Sequence, residues 1–464
     1  MRPTSTRELL ESTARLAAAY RESLDERPVR TLLSAEDLQR ALAVPLSDEG
    51  ESPAQVIEAL ARIGAEGSVA SAGPRYFGFV IGGSTPAALA ADWLVSAWDQ
   101  NGGLHATSPL VSAVEEITAG WLRELAGLPA SMTVGFVTGC QMASFTGLAA
   151  ARHRVLRDAH WDVEAQGLFG APPIEVLVGD EAHYTIFLAL RLLGLGGSRL
   201  RRVPVDGQGR MRPDALATLL ASVGGPLIVC AQAGNVNGGA FDPLEEIAGL
   251  THQHRGWLHV DGAFGLWAAA APGRAHLVRG IEHADSIATD GHKWLNVPYD
   301  CGLVFCADEV AHRSAMSLSA PAQAAPYLAT SSRRRDPHDF VPEESRRGRA
   351  VPVYALLRTL GRVGLAELVE RNCRQAQRFA AGLTAAGHEV LNEVVLNQVV
   401  VAFGDAERTR RVVAAVQAEG TCWCGSTVWQ GRTAMRISVS GTATTDADVE
   451  RSLAAIVRVA RDTG

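Results

Sequence analysis

Two short runs place an aspartate and a lysine where they could do chemistry. Trp257 to Phe264 (WLHVDGAF) is an apolar strand pattern ending in Asp261, and Ser286 to Trp294 (SIATDGHKW) is another, followed by Lys293. Ligands of open α/β sheets bind outside the carboxyl ends of the strands. Singly, Asp261 reads as a helix cap and Lys293 as half of a salt bridge. As a pair at one sheet edge they suit an aldehyde-bearing pyridine ring. The lysine amine forms an imine with the aldehyde, and the carboxylate keeps the ring nitrogen protonated so that the ring can accept electrons. Desolvation is expected to lower the pKa of Lys293 toward the amine form that the imine needs.

Three more runs meet the other requirements of such a ring. Val137 to Ser144 (VTGCQMAS) passes from a strand pattern into a helical one, which sets the amides of Gly139, Cys140 and Gln141 at a helix N-terminus, a place that favours an anion. Glu181-Ala182-His183 follows another strand end, where a flat imidazole can stack on a ring face. Ala231 to Gly239 (AQAGNVNGG) ends a further strand in small and amide residues suited to close approach of a ligand. Aldehyde capture, a ring-nitrogen partner, a stacking group and a phosphate cradle are together the needs of pyridoxal 5'-phosphate.

The elements that must carry these residues follow from periodicity. Strand-like runs occur at Thr133 to Val137, Glu175 to Gly179, Arg202 to Val205, Leu227 to Ala231, Trp257 to Val260, Ser286 to Ala288 and Leu303 to Phe305, with helical stretches such as Ala143 to Leu156 and Pro243 to Gln253 between them. Alternation of this kind implies crossovers, hence a mostly parallel sheet covered by helices on both faces. The first 70 or so residues are expected to be mainly helical, with Leu9, Leu16 and Leu24 on one apolar stripe. Ser317 to Ser345, with Arg333, Arg334 and Arg335, breaks the pattern and reads as a mobile lid. Beyond it, Val353 to Leu383 is expected as helix, Val390 to Phe403 and Met435 to Val439 as strands, and Asp446 to Arg461 as a terminal helix.

Composition narrows the class. The chain has 464 residues, 43 Lys and Arg against 50 Asp and Glu (net charge −7), and 47% hydrophobic residues. That is enough for several domains and a large core, and it excludes a small disulfide scaffold or extensive disorder. The acidic balance argues against a nucleic-acid partner. The N-terminal run carries no signal core, and no stretch reaches the roughly 18 apolar residues of a membrane span, so a cytoplasmic location is expected. The seven cysteines lie mostly in apolar runs, and the Cys422/Cys424 spacing is not that of a zinc site. No metal is expected, and His252, His254 and His259 read as helix-terminal and surface histidines. Gly194 to Gly197 lacks the strand-to-helix setting of a dinucleotide fingerprint.

The chain resembles the group II pyridoxal phosphate-dependent amino-acid decarboxylases, whose members include aromatic amino-acid, histidine, glutamate and diaminobutyrate decarboxylases. The likeness rests on Arg27-Pro28-Val29, Arg75 to Gly83 (RYFGFVIGG), Pro86 to Gln100 (PAALAADWLVSAWDQ), the 137–144 run, Glu181-Ala182-His183, His259 to Ala263, His292-Lys293-Trp294-Leu295 and Ser345 to Arg349 (SRRGR). It implies an aspartate aminotransferase-like (fold type I) α/β fold. Residues 1–85 would form a helical N-terminal dimerisation arm, 86–345 a large cofactor domain with a lid at 317–345, and 346–464 a small α+β domain. The implied assembly is a homodimer with active sites at the subunit interface.

Roles follow from the same resemblance. Lys293 would form the internal aldimine, Asp261 would hold the pyridinium, His183 would stack on the ring opposite Ala263, and Gly139, Cys140 and Gln141 would hold the phosphate. Asn235, Asp242 and His292 would lie close to the cofactor. The family often has Asn three residues before the lysine, touching the phosphate. Here Asp290 would repel a phosphate dianion, so it is expected instead to accept bonds from nearby hydroxyl or amide groups. Phe79, Val80 and Gly82 match the substrate wall, to which Tyr76 and Phe77 would also contribute. Asn101, Gly103 and His105 match a stretch that lines the pocket from the partner subunit. That stretch is small and polar here, which argues against a tight slot for a flat ring, while the wall of Tyr76, Phe77 and Phe79 leaves aromatic substrates open.

The implied reaction is decarboxylation of an L-amino acid to the amine and carbon dioxide through the Lys293 aldimine and a quinonoid. The family's aromatic enzymes deliver the Cα proton from a lid tyrosine, and members with phenylalanine there can release an aldehyde. Asp339-Phe340 stands near that position, which leaves Tyr327 or His338 as the acid. Amine formation is the reading taken. Decarboxylation-coupled oxidative deamination to an aldehyde and a carbon–carbon lyase (aldolase) reaction are the alternatives.

Overall fold

The computed structural model describes residues 5–46, 48–317 and 335–463. Most of the expected lid, with Tyr327, Arg333 and Arg334, lies outside the described residues. The centre is a seven-stranded sheet made of β1 (Thr133–Val137), β2 (Glu175–Gly179), β3 (Arg201–Val203), β4 (Leu227–Gln232), β5 (Trp257–Asp261), β6 (Ser286–Asp290) and β7 (Gly302–Cys306), in the order β1-β7-β6-β5-β4-β2-β3. β2 to β6 run parallel, and β7 is antiparallel to both of its neighbours. The expected alternation of strand and helix is therefore present, with one reversed strand. Strands β4 to β7 are buried along their whole length, as a sheet covered on both faces must be.

Register sets the working edge. Gln232 pairs with Asp261, and Asp261 with Ala288, so β4 and β5 end level and β6 runs two residues further, to Asp290. Helix Cys140–Asp158 starts at that edge, two residues after β1, and packs on the sheet through Ala143, Gly147, Leu148 and Ala151. Gly147 lets the helix approach closely, since a Cβ there would lie 3.1 Å from the side chain of Ser286 and 3.2 Å from His259 Nδ1.

A second, antiparallel sheet of four strands, Glu389–Val390, Gln398–Ala402, Gly425–Trp429 and Arg432–Ser438, is backed by helices Ala406–Glu419 and Asp446–Asp462. The single strand expected over Val390 to Phe403 is two. The side chain of Asn392 closes the connection, accepting from Val400 N–H at 2.9 Å and donating to the carbonyls of Gly238 (2.9 Å) and Gln398 (3.0 Å). The helical expectation at Val353 to Leu383 is Ala350–Ala385, broken at Gly361 by a φ of 62°.

The N-terminal helices Thr6–Glu22, Ala35–Leu42 and Pro53–Gly67 pack on one another, and the first two open with capping boxes at Ser5 and Ser34. Of the expected stripe, Leu24 is buried in its own chain, whereas Leu16 is 36% exposed. No helix among the described residues is long and apolar enough to cross a membrane.

Candidate active site

Three elements bring their ends together. β5 delivers Asp261, the turn after β6 delivers His292 and Lys293, and the first turn of helix Cys140–Asp158 delivers Cys140. Lys293 Nζ lies 2.9 Å from Asp290 Oδ2, and the other Asp290 oxygen accepts the Cys140 amide at 2.6 Å. The Cys140 thiol in turn lies 3.4 Å from Asp261 Oδ1. One buried chain of contacts thus joins the lysine, the helix N-terminus and the ring-nitrogen candidate.

Tight backbone packing holds this chain in place. Gly302 of β7 lies directly under Gly139, where a Cβ would come within 2.4 Å of the Gly139 backbone. Ala263 N–H donates to Asp261 Oδ1 at 3.1 Å, which fixes that carboxylate and leaves Oδ2 without a hydrogen bond among the described residues. The Asp290 backbone is pinned on both sides, by its N–H to Ala263 O (2.9 Å) and by Trp267 Nε1 to its carbonyl (3.1 Å).

Electrostatics correct one expectation. Burial alone would lower the pKa of Lys293, but Asp290 at contact distance, helped by Asp261, outweighs burial and leaves the ammonium above its ordinary value. Burial is implied by the apolar runs around Lys293, whereas the carboxylate on the lysine comes from tertiary placement. Burial pushes the Cys140 thiol well up, and Asp261 adds to this. It also pushes His183 down, with Lys293 and Arg436 acting in the same direction and Asp261 against them. His183 is therefore a neutral imidazole near pH 7, with Nδ1 2.7 Å from Thr185 Oγ1.

The other expected residues divide. Gly82 packs against the lysine loop: a Cβ there would lie 2.2 Å from the Lys293 carbonyl oxygen. Phe79 is 60% exposed and stacks on Trp423 at 5.4 Å, which stacks on Tyr76 at 5.0 Å. Phe79 and Val80 both have positive φ (52° and 60°), in the turn closed by Ile81 N–H to Gly78 O at 3.0 Å. Strain of this kind, about 1–3 kcal/mol per residue, is concentrated at functional sites. The Val80 side chain is corrected out of the wall, because it is buried in the main core, and so is Phe77, which packs on Phe379.

Asn235 is committed to its own turn, accepting the amides of Asn237 (2.8 Å) and Gly238 (3.1 Å). Asp242 accepts the amides of Met211 (2.7 Å) and Gln232 (2.8 Å), and burial pushes it up to about 7. His292 stacks on Tyr299 at 4.2 Å and accepts the Cys301 amide at Nδ1 (3.1 Å).

Asn101, Gly103 and His105 make their contacts with the far end of the lid segment. Asn101 Oδ1 accepts Arg346 N–H (3.2 Å), Gly103 O accepts His338 N–H (3.0 Å), and His105 N–H donates to Asp336 (2.7 Å). Within this chain they face that segment rather than Lys293. His338 itself pairs with Glu344 at 2.9 Å. Phe340 is buried under Arg335, 4.1 Å from its guanidinium, so it is no exposed counterpart of a lid tyrosine.

Sequence reasoning missed Arg436. It is half-buried, donates to Val236 O at 3.2 Å, acts on His183 and has no carboxylate partner among the described residues. Its signal was a charge in the middle of an otherwise apolar strand (AMRISVS). The histidine cluster dissolves: His252 pairs with Asp285, while His259 is buried on Ser286 Oγ at 2.9 Å. Among the described residues, no three His, Cys, Asp or Glu side chains gather as metal ligands.

The donor set fits pyridoxal 5'-phosphate. A lysine and an aspartate with one free oxygen flank a helix N-terminus whose first amide already binds an oxyanion, that of Asp290. Comparison with known proteins agrees. The pyridoxal-dependent decarboxylase conserved domain matches residues 36–403. Acidic amino acid decarboxylase GADL1 of Homo sapiens is 30% identical over 344 residues, covering 72% of this chain and 64% of that protein. L-2,4-diaminobutyrate decarboxylase of Rhizobium meliloti is 31% identical over 399 residues, covering 81% of this chain and 75% of that protein. Among solved structures, Oryza sativa TDC with PLP and tryptamine superposes with a TM-score of 0.91 at 23% identity, over 100% of this chain and 99% of the other. Mouse CSAD gives a TM-score of 0.90 at 23% identity, over 99% and 100%. At that identity these two speak for the shared fold, which is fold type I.

Proposed function

The chain belongs to the pyridoxal-dependent decarboxylase family, whose cofactor is pyridoxal 5'-phosphate, and from that premise we propose that it removes carbon dioxide from an L-amino acid and releases the amine. The observation that carries the proposal is the buried chain Lys293–Asp290–Cys140–Asp261, which unites the amine and the ring-nitrogen carboxylate at one sheet edge. When bound, the cofactor supplies the electron sink for a carbanion at Cα.

The chain's own residues do the rest. Lys293 would hold the cofactor through its aldehyde. Asp261, oriented by Ala263 N–H, would keep the ring nitrogen protonated through its free Oδ2. His183, neutral because it is buried, would lie against one ring face with Ala263 on the other. Gly139, Cys140 and Gln141 would offer helix-terminal amides to the phosphate, with His292 close by and Asn235 shaping the neighbouring turn. Arg436, without a carboxylate partner among the described residues, would offer a cation to a substrate carboxylate. Phe79, with Gly82 behind it, forms the wall, and the Phe79–Trp423–Tyr76 stack favours a substrate with an aromatic or other flat side chain.

The assembly we infer is a homodimer. Trp93, Leu94, Trp98, Leu110 and Ile117 are 41–51% exposed on helices Pro86–Trp98 and Pro109–Ala126, an apolar surface that a second copy would cover. In that dimer Asn101, Gly103 and His105 would line the partner's pocket.

A panel of amino acids, read by carbon dioxide release and by assay of amine, aldehyde and hydrogen peroxide, tests the reaction. Stoichiometric carbon dioxide and amine are expected, with aromatic substrates turning over fastest. Aldehyde with stoichiometric peroxide would replace amine formation by oxidative deamination. Cleavage of β-hydroxy amino acids without carbon dioxide would make the enzyme a carbon–carbon lyase.

A further inference from the structure

Asp290 is the one site residue whose charge runs against the ligand beside it. Its carboxylate is 2% exposed and makes three contacts: the Cys140 amide at 2.6 Å, Lys293 Nζ at 2.9 Å and His292 Nε2 at 3.3 Å. The first of these is a donor at the N-terminus of helix Cys140–Asp158, where the macrodipole favours a single anion. The residue cannot shift away as a whole, because its backbone is bonded on one side to Ala263 and on the other to Trp267, and its side chain is enclosed. A phosphate arriving at the same helix turn therefore meets a fixed negative charge on its first donor.

We propose that Asp290 competes with the cofactor's phosphate for the Cys140 amide, and thereby sets how strongly this chain prefers pyridoxal 5'-phosphate over the unphosphorylated aldehyde. This rests on the cofactor reading above. Asp290 acts as a positioning residue with two opposed effects. It holds Lys293 in place as an ammonium, and it weakens the hold on the phosphate that anchors the ring. Loading of the cofactor then depends on how far the phosphate can draw the amide away from the carboxylate, and the chain trades cofactor affinity for a pre-placed lysine.

The test is equilibrium binding to the full chain, freed of cofactor by dialysis. Pyridoxal 5'-phosphate, pyridoxal and inorganic phosphate serve as separate probes, with wild type, Asp290→Asn and Asp290→Ala compared. Loss of the carboxylate also frees Lys293, so both aldehydes can gain. The diagnostic quantity is the ratio of pyridoxal 5'-phosphate to pyridoxal affinity. In both variants that ratio is expected to rise about tenfold or more, the scale of one unit charge removed from a partly screened site, and inorganic phosphate should bind tighter by a similar factor. An unchanged or lower ratio overturns the proposal, as does a rise in Asp290→Asn that Asp290→Ala lacks, because the new amide would then be the cause. Borohydride trapping of pyridoxal 5'-phosphate on Lys293 of the wild type checks the cofactor reading separately.

Discussion

Replacing Gly82 by alanine adds one methyl group next to the reactive lysine. A Cβ at that position would lie 2.2 Å from the Lys293 carbonyl oxygen and 2.7 Å from Asn296 Nδ2. Carbon and oxygen in contact keep about 3.3 Å or more, so one segment must retreat by about 1 Å. The lysine loop resists retreat. Asn296 Nδ2 donates to the carbonyls of Trp294 (2.8 Å) and Ser440 (2.9 Å), and buried Trp294 donates through Nε1 to Asn372 at 2.9 Å. Overpacking of this kind costs about 1–3 kcal/mol of stability. A displacement of about 1 Å at a reacting group costs about 100-fold in rate. Gly82→Ala is therefore expected to lower kcat for carbon dioxide release about 100-fold, with urea unfolding showing the stability loss. Gly64→Ala is the control: a Cβ there meets open space in helix Pro53–Gly67, so the variant should gain about 0.5–1 kcal/mol and keep full kcat. Wild-type kcat and stability in Gly82→Ala would refute the view that the 78–83 segment holds the lysine loop.

Burial pushes His312 down to about 3, so between that value and the unfolded value near 6.5 the folded state binds fewer protons and stability falls as pH is lowered. Between pH 7 and pH 5 the wild type should lose about 2 kcal/mol more than His312→Gln in urea unfolding, and parallel curves would contradict the assignment. Glu115 is buried between Arg346 and, at 3.6 Å, Arg335. Glu115→Gln should cost about 3–5 kcal/mol by leaving Arg346 uncompensated, and a cost below about 1 kcal/mol would show that the cluster is not a closed ion pair. Arg436→Met should raise KM for the amino acid about tenfold or more with a smaller change in kcat, the size of one lost charge-assisted bond. A fall in kcat at constant KM would remove Arg436 from substrate binding.

The sequence by itself determined the alternation of strands and helices, because burial on both faces demands short continuous apolar runs and each helix an amphipathic stripe. It also offered Lys293, Asp261, His183 and the Gly139–Gln141 turn as candidates, since aldehyde capture, ring protonation and phosphate binding each need a particular residue type at a strand end. Local pattern could not assign side-chain direction where the backbone turns back on itself. Val80 and Phe77 look like wall residues in the run RYFGFVIGG, yet the positive-φ turn at Phe79 and Val80 and the pairing of Phe77 with Trp423 and Ser438 send them into cores. Arg436 became visible only when the C-terminal sheet was folded against His183, far away in the chain. The charge state of Lys293 was likewise a tertiary matter. Desolvation follows from burial, which the sequence implies, but the opposing carboxylate acts through a 2.9 Å contact, and Coulomb energy at that range depends on placement that no periodicity encodes.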